Sequence, residues 1–145
     1  MVFGESKMIQ NIQLITLPVL GDERGSLIAL EGESKLIPFE VKRVYYIFGT
    51  TPHTTRGKHA HYKLQQLLVC TSGSCDILLD NGTEKQVIKL DSPTKGLLIT
   101  NGPLIWREMS NFSKDCVLMV LASAHYDETD YIRNYEDFLK EAHNR

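Results

Sequence analysis

The sequence is poor in cysteine. Its 145 residues include three cysteines, Cys70, Cys75 and Cys116, an odd number with no C-x-x-C pair, so a framework of paired disulfides is not expected. Each lies among Val, Leu and Ile in a predicted strand, and we interpret all three as small core residues. The alternative, a reactive thiol, finds no support in the neighbouring residues.

Long apolar runs are missing as well. Every apolar segment is shorter than the roughly 18 to 20 residues that span a bilayer. Residues 1–10 also lack the continuous apolar core of a secretory signal. We therefore expect a soluble, cytoplasmic protein that has no membrane partner.

Charge of one sign is not in excess. The 16 Lys and Arg residues are balanced by 18 Asp and Glu residues, and no block of five or six like charges occurs. Such a chain has no positive field to hold a nucleic-acid backbone, so nucleic acid is excluded as an expected partner. The length fits one domain, 1–145, which can bury roughly two-thirds of its unfolded surface without disulfides or structural metal.

Short apolar and β-branched runs, separated by turn signals, make up most of the chain. This rhythm is typical of a β-sandwich or barrel. The clearest hairpin covers residues 74–87, where Asn81 and Gly82 supply the positive φ angles of a tight turn. The predicted strands are residues 27–30, 41–48, 64–71, 74–79, 86–90, 96–100 and 116–122.

Only residues 127–143 have a helical pattern, and Thr129 and Asp130 are available there as caps. The apolar positions at spacings of three and four are Tyr131, Tyr135, Phe138, Leu139 and Ala142. Linkers, repeats and low-complexity segments are missing. The sequence therefore predicts a single all-β domain that ends in one α-helix.

The segment RGKHAHYKLQQ, residues 56–66, is the most informative for chemistry. If it enters a strand, the period of two places His59 and His61 on one face, with Ala60 opposite. Two imidazoles then share one cavity wall. For an isolated pair, two exposed surface histidines would be the simpler interpretation.

Two functions are open to this pair. A cupin metal site needs a Glu a few residues later and another His about forty residues downstream, but Gln66 and Arg107 occupy those places. A neutral amide is a poor ligand, and a guanidinium repels a cation. Imidazoles can instead act as acid and base near neutral pH. We favour proton transfer over a metal site because Gln66 and Arg107 replace the ligands, and a functional pair over exposed histidines because Arg56, Gln66, Trp106 and Arg107 all occur at cupin spacing.

Two further segments carry candidate residues. In the alternating run 41–48, Tyr45 and Tyr46 face opposite ways, and Arg43 shares a face with Tyr45. Periodicity alone does not decide which tyrosine reaches the cavity. Arg24 follows an acidic turn, and both a solvated arginine and a contact to phosphate or carbonyl oxygens are compatible with that place.

Together these residues resemble the dTDP-4-keto-6-deoxyglucose 3,4-ketoisomerases, small cupins that act in the biosynthesis of 3-amino-3,6-dideoxy sugars. The resemblance covers nearly the whole chain and is carried by RGSL (24–27), KRVYYI (42–47), RGKHAH (56–61) and YDETDYIR (126–133). It implies a cupin jelly roll, that is, a double-stranded β-helix. It also implies a homodimer that exchanges or shares strands, no metal and no cofactor. The expected small-molecule partner is a dTDP-linked keto sugar, destined for a lipopolysaccharide or S-layer glycan.

The resemblance also implies roles for individual residues. His59 is the leading catalytic base with His61 beside it, Tyr45 is the cavity tyrosine, and Arg24 and Arg107 lie near the sugar. Arginine at both of these places leaves the C4 configuration of the product open. The donor to the developing oxyanion also stays open among Tyr45, His61 and an arginine.

The predicted substrate-binding set has four more members. Arg56 and Lys63 are the candidates for the pyrophosphate, because their charges lie on the histidine strand and in the loop that leads into it. Gln66 and Trp106 are included because they occur at cupin spacing.

Three other functions remain open at the level of the sequence. A nucleotide-sugar 3,5-epimerase is also a metal-free cupin that uses histidine and tyrosine. A metal-dependent cupin, such as a dioxygenase, would need a ligand set that this sequence lacks. A non-catalytic sensor of sugar nucleotides would bind the same molecule without converting it.

Overall fold

The computed structural model describes residues 8–145. This part of the chain forms twelve strands, a 3₁₀ turn at Glu128–Asp130 and one α-helix, α1, at Tyr135–His143. The strands are β1 (Ile12–Thr16), β2 (Leu20–Asp22), β3 (Gly25–Leu27), β4 (Arg43–Ile47), β5 (Arg56–His61), β6 (Gln66–Ser72), β7 (Cys75–Asp80), β8 (Lys85–Leu90), β9 (Lys95–Ile99), β10 (Trp106–Ser110), β11 (Val117–Ala122) and β12 (Tyr131–Ile132).

Ten of the strands build two five-stranded sheets. The strand orders are β1-β9-β6-β11-β4 and β12-β5-β10-β7-β8, and β2 pairs only with β3 in a separate hairpin. Both orders place strands that are distant in sequence side by side, as in a double-stranded β-helix. The predicted fold class, an all-β jelly roll with a C-terminal α-helix, is confirmed.

The main core lies between the two sheets. Alternate residues of β6, β7, β8, β9 and β11 point into it, and all three cysteines belong to it. A second cluster covers the outer face of the first sheet, where Ile37 and Phe39 pack on β6. The third lies under α1, where fully buried Phe138 packs with Ala60 and Trp106. Burying a side chain the size of Phe138 contributes about 2 to 3 kcal/mol, which docks the short helix.

The predicted strands agree with the structure except at the first one. The run 27–30 does not form a strand, because β3 ends at Leu27. Ile28 and Leu30 pack instead against the second cluster as half-buried residues. These residues are apolar because they pack on the face of a sheet, although they have no hydrogen-bonded partner strand.

The predicted helix over residues 127–143 is correct only in its second half. Tyr131 belongs to β12, which pairs with β5 at the sheet edge. The helix begins after Asn134, whose side chain accepts a hydrogen bond from the first turn. Thr129 and Asp130 therefore lie in the 3₁₀ turn and do not cap α1. Pairing with a neighbouring strand has outweighed the helical spacing of the side chains.

Candidate active site

A cavity of about 330 Å³ opens on β4, β5 and β12. It is lined by Arg43, Tyr45, Ile47, Arg56, Gly57, His59, Met109, Tyr131 and Arg133. Tyr45 faces this cavity, whereas its neighbour Tyr46 is 63% exposed on the other face of β4. The alternation predicted for residues 41–48 is thus confirmed, and the cavity combines two phenols, an imidazole and three arginines.

A β-bulge in β5 sets the direction of the histidine side chain. Arg107 pairs with His59 and Glu108 pairs with Gly57, so that Lys58 has no partner in the ladder. Gly57 and Lys58 both have positive φ, at 86° and 50°. A Cβ on Gly57 would also lie only 3.2 Å from the Arg107 carbonyl oxygen. The bulge turns Arg56 and His59 to the same cavity, a role that bulges often have next to active sites.

His59 is held as a neutral base. Its Nδ1 lies 2.9 Å from the carbonyl oxygen of Gly57. A carbonyl only accepts, so Nδ1 carries the ring proton and Nε2 keeps its lone pair. Burial, and next the charge of Arg107, lower the pKa of His59 to about 4. At neutral pH the ring is therefore uncharged and able to accept a proton.

His61 lies beside His59 and is tied to a carboxylate. The two ring centroids are 4.7 Å apart at an edge-to-face angle of 84°. His61 Nδ1 lies 3.2 Å from Asp130 Oδ2, and the buried Nε2 has no partner within the described residues. Burial and the charge of Arg107 lower the pKa of His61 far below its ordinary value. The sequence analysis missed this use of Asp130 because it took the residue for a helix cap.

Tyr131 covers both imidazoles. Its ring centroid lies 5.0 Å from that of His59 and 4.3 Å from that of His61. The guanidinium carbon of Arg133 lies 4.2 Å from the same ring centroid. Tyr131 therefore restricts the rotation of the histidines and places Arg133 at the cavity. Neither residue was predicted, since both were counted as part of the C-terminal helix pattern.

Arg107, Gln66 and Tyr45 form one hydrogen-bonded chain across three strands. The buried guanidinium of Arg107 donates to Gln66 Oε1 and, at 3.0 Å, to the carbonyl of Ile105. With its oxygen engaged, Gln66 turns its Nε2 to donate to Tyr45 Oη at 3.2 Å. The phenolic proton of Tyr45 is then left to donate elsewhere. Burial raises the pKa of Tyr45, so the phenol stays protonated.

The donor set around the histidines does not fit a metal ion. The amide oxygen of Gln66 accepts from Arg107, and Nδ1 of His61 faces Asp130. Burial lowers the pKa of Arg107 to about 10, which leaves it cationic beside the imidazoles at neutral pH. A fixed positive charge there opposes a bound cation. Within residues 8–145, the one group of three His, Cys, Asp or Glu side chains close enough to hold a metal ion together is the set of buried cysteines, away from the histidines.

Three predicted substrate contacts lie elsewhere. Arg107 is behind the histidines and does not line the cavity. Lys63 lines a neighbouring cavity of about 130 Å³ together with Asp130. Arg24 is on the β2–β3 hairpin, where its side chain is 85% exposed and paired with Asp22.

Trp106 does not reach the cavity either. It alternates with Arg107 along β10, so its indole points to the opposite face of the sheet. There it packs against Tyr135 and Phe138 of α1, at centroid distances of 5.2 and 5.7 Å. Its Nε1 donates to Glu108 at 2.9 Å. The indole anchors the helix, and cupin spacing alone did not indicate which face it would occupy.

Among the described residues, no helix has the length and apolar character needed to cross a bilayer.

Comparisons with known proteins agree with this geometry. The chain is 56% identical over 128 residues to a TDP-4-oxo-6-deoxy-alpha-D-glucose-3,4-oxoisomerase of Aneurinibacillus thermoaerophilus. The aligned residues cover 88% of this chain and 90% of that protein. It is 48% identical to a mutant of the 3,4-ketoisomerase QdtA from Thermoanaerobacterium thermosaccharolyticum in complex with TDP-4-keto-6-deoxyglucose, with a TM-score of 0.89 over 95% of this chain and 98% of that one.

A more distant structure, the rmlC epimerase of Mycobacterium tuberculosis, is 16% identical with a TM-score of 0.71 over 85% of this chain and 68% of that one. At this identity the likeness shows a shared fold alone. The model of the FdtA family, described as WxcM-like, C-terminal, matches residues 10–143. The chain therefore belongs to the FdtA family.

Proposed function

We propose that this chain is a TDP-4-keto-6-deoxyglucose 3,4-ketoisomerase in which His59 moves the proton. The observation that carries the proposal is the neutral His59, whose Nδ1 is fixed by Gly57 while the ring lines a cavity shared with Tyr45. The two ketoisomerase relatives support this activity over a 3,5-epimerase, because the epimerase neighbour shares only the fold.

The reaction needs only proton transfers. The C4 ketone acidifies the hydrogen on C3, and Nε2 of His59 removes it as a proton. The electron pair of the C3–H bond forms a C3–C4 double bond, and the charge moves to the C4 oxygen as an enediolate. A proton then returns to C4, the C3 hydroxyl loses its proton, and the C3 ketone forms. Positioned proton transfer contributes about 10² to 10⁴ in rate.

The phenol of Tyr45 is our proposed donor to the enediolate oxygen. Its own oxygen accepts from Gln66, so its proton is available to the substrate. A hydrogen bond to a developing oxyanion strengthens as the charge forms, and it lowers the barrier for that reason. The buried Arg107 acts through Gln66 and does not need to touch the sugar.

Incubation in deuterated water tests the proposed function. With TDP-4-keto-6-deoxyglucose as substrate, proton NMR should show the ketone at C3 and deuterium at C4. A product with the ketone still at C4 and deuterium at C3 and C5 would establish the epimerase instead. Binding without deuterium incorporation over hours would establish the sensor. Activity that is lost on chelation and regained with iron or manganese would establish the metal-dependent cupin.

Asp130 is a positioning residue for His61. Its Oδ2 faces His61 Nδ1, and its two oxygens accept from the backbone N–H groups of Lys63 and Leu64 at 2.8 and 3.2 Å. This carboxylate fixes the proton of His61 on Nδ1 and the lone pair on Nε2. Nε2 is thereby kept as a second acceptor beside His59.

Replacing Asp130 by asparagine should lower kcat about tenfold or more with little change in KM. An asparagine has one acceptor oxygen for the N–H groups of His61, Lys63 and Leu64. When its NH₂ faces His61 and Leu64, it offers an N–H to His61 Nδ1 and reverses the tautomer, so a ¹⁵N NMR spectrum should show a population with the proton on Nε2. Asp137→Asn, on the exposed side of α1, removes the same charge and serves as control. A normal kcat with a reversed tautomer would show that His61 has no part in proton transfer.

The nucleotide phosphates are expected to bind at the three arginines of the cavity. Arg43, Arg56 and Arg133 line it, and Arg133 is already paired with Glu128 at 2.6 Å. Arg56 is exposed and has no ion-pair partner within the described residues. A guanidinium in this state suits a pyrophosphate oxygen pair.

Arg56→Ala should raise KM about tenfold or more while kcat stays within a factor of about three, because a phosphate contact binds substrate and transition state alike. Lys89→Ala removes one charge from an exposed position outside the cavity and should leave KM unchanged. Steady-state kinetics of both variants test this. A fall in kcat at unchanged KM would instead place Arg56 at the reacting carbons.

The activity should persist into mildly acidic solution. Because the pKa of His59 is lowered to about 4, its neutral form is present at all higher pH values. We expect kcat/KM to be constant from about pH 8 to about pH 5 and to fall tenfold per unit below about pH 4. An acid limb near pH 6.5 would contradict the buried, neutral histidine.

The lowered pKa of His59 also makes the free energy of unfolding depend on pH, so unfolding must be measured together with activity. The unfolded chain takes up a proton on His59 near pH 6.5, before the folded chain does. The free energy of unfolding should therefore decrease as the pH falls from about 6.5 to about 4. Circular dichroism at each pH separates this loss from protonation of the active base.

We also propose that the chain acts as a cytoplasmic homodimer. None of the three cysteines forms a disulfide within the described residues, which agrees with a reducing compartment. Large apolar residues are exposed on the β2–β3 hairpin, with Leu20 at 59% and Leu27 at 57%. This hairpin is the segment available for strand exchange, and Arg24 on it would meet a sugar only through such an exchange. Sedimentation equilibrium at micromolar concentration should give twice the chain mass.

A further inference from the structure

Three cysteines meet at one end of the core, apart from the proposed active site. Cys70 lies near the end of β6, Cys75 begins β7 and Cys116 precedes β11. Their sulfur atoms all lie within 4.8 Å of one another, and those of Cys70 and Cys116 are 3.6 Å apart. Each residue is at most 2% exposed, and none is in a disulfide. Three thiols from three chain segments therefore meet inside the packed core.

Two interlocked turns hold the three segments together. The N–H of Ser113 donates to the carbonyl of Ser74 at 2.9 Å, and the N–H of Ser74 donates to Ser113 Oγ at 2.8 Å. The N–H of Cys116 closes the second turn on Ser113 at 3.1 Å. Gly73, with φ at 67°, lies so close that a Cβ would be 2.2 Å from Ser113 Oγ. These contacts thus hold together the backbone segments that carry the three cysteines.

The spacing fits a trigonal arrangement of thiolates. A metal–sulfur bond of about 2.3 Å places three ligands in one plane about 4 Å apart. The sulfur atoms of Cys70 and Cys116 are 3.6 Å apart and no separation in the cluster exceeds 4.8 Å, so small side-chain rotations would close the site. Within residues 8–145, no His, Asp or Glu joins the group as a fourth ligand. Zinc prefers four ligands, whereas soft thiolates select Cu(I).

We propose that Cys70, Cys75 and Cys116 form a three-coordinate site for one Cu(I) ion. Each thiol that binds as a thiolate releases one proton to the solvent. The ion arrives and stays as Cu(I), so the step requires neither oxidant nor reductant. A bound ion joins β6, β7 and the segment that leads into β11, and it should raise the melting temperature of the barrel.

Competition with a chromogenic chelator tests the site. Reduced protein is titrated without oxygen against the Cu(I) complex of bicinchoninate, once in the native state and once during refolding from urea, because the thiols are buried. We expect one Cu(I) per chain in at least one arm, together with proton release and a higher melting temperature. X-ray absorption should then show three sulfur ligands at about 2.3 Å.

Variants separate ligation from packing. Cys75→Ala and Cys116→Ala should each lower Cu(I) affinity at least a hundredfold, whereas Val69→Ala, a buried truncation outside the cluster, should bind one ion as before. No uptake by the parent chain in either arm overturns the proposal. Three other results would also overturn it: unchanged Cu(I) uptake by the cysteine variants, an X-ray absorption spectrum with only two sulfur ligands, or Zn(II) binding as tight as Cu(I) binding.

Discussion

Replacing His59 by asparagine should lower kcat by about 10² to 10⁴ while TDP-sugar binding is retained. The amide nitrogen of asparagine can still donate to the Gly57 carbonyl, the partner of His59 Nδ1 in the native chain. It offers no lone pair to take the C3 proton at neutral pH. Formation of the enediolate should therefore fail although the cavity keeps its shape.

Two measurements separate this loss from damage to the fold. Calorimetric titration with TDP should give a Kd within a factor of about three of the parent chain, since the proposed phosphate contacts are arginines and not His59. His53→Asn changes an exposed histidine and should keep full turnover. If His59→Asn turns over at the parental rate, the base is another group, and His61 is the first to examine.

The histidine pair was predictable because strand periodicity is a local property. Two residues two apart share a face whatever the surrounding fold, and His59 and His61 do so here, although only His59 lines the cavity of about 330 Å³. Replacement of cupin ligands by Gln66 and Arg107 was equally visible in the sequence. What spacing did not reveal was that these two residues bond to each other and to Tyr45.

The residues that sequence analysis missed come from pairing between distant segments. Asp130 and Tyr131 reach the histidines because β12 adds to the edge of β5, some seventy residues away along the chain. The local sequence around these two residues fits a helix, but pairing with the free edge of β5 makes Tyr131 part of a strand instead. The cysteine cluster has the same origin, since Cys116 joins the other two through the pairing of β11 with β6.

Changing Tyr45 to phenylalanine should lower kcat by about 10² to 10³ and leave KM nearly unchanged. The substitution removes one oxygen, which is the donor that we place at the enediolate. Exchange of the C3 hydrogen into deuterated water should slow by the same factor, because the charge develops in that step. Gln66 Nε2 would lose its acceptor, which costs about 1 kcal/mol of stability and should not unfold the barrel.

Tyr46→Phe is the matched control for this change. It alters the neighbouring residue of the same strand, whose side chain is exposed on the opposite face. Equal rates for the two variants would move the donor to an arginine of the cavity. A slow Tyr45→Phe beside a normal Tyr46→Phe would assign it to the phenol. Gln66→Glu then tests the hydrogen-bonded chain from Arg107 to Tyr45. A carboxylate paired with Arg107 cannot donate to Tyr45, so the phenol would donate its proton to that carboxylate and not to the substrate.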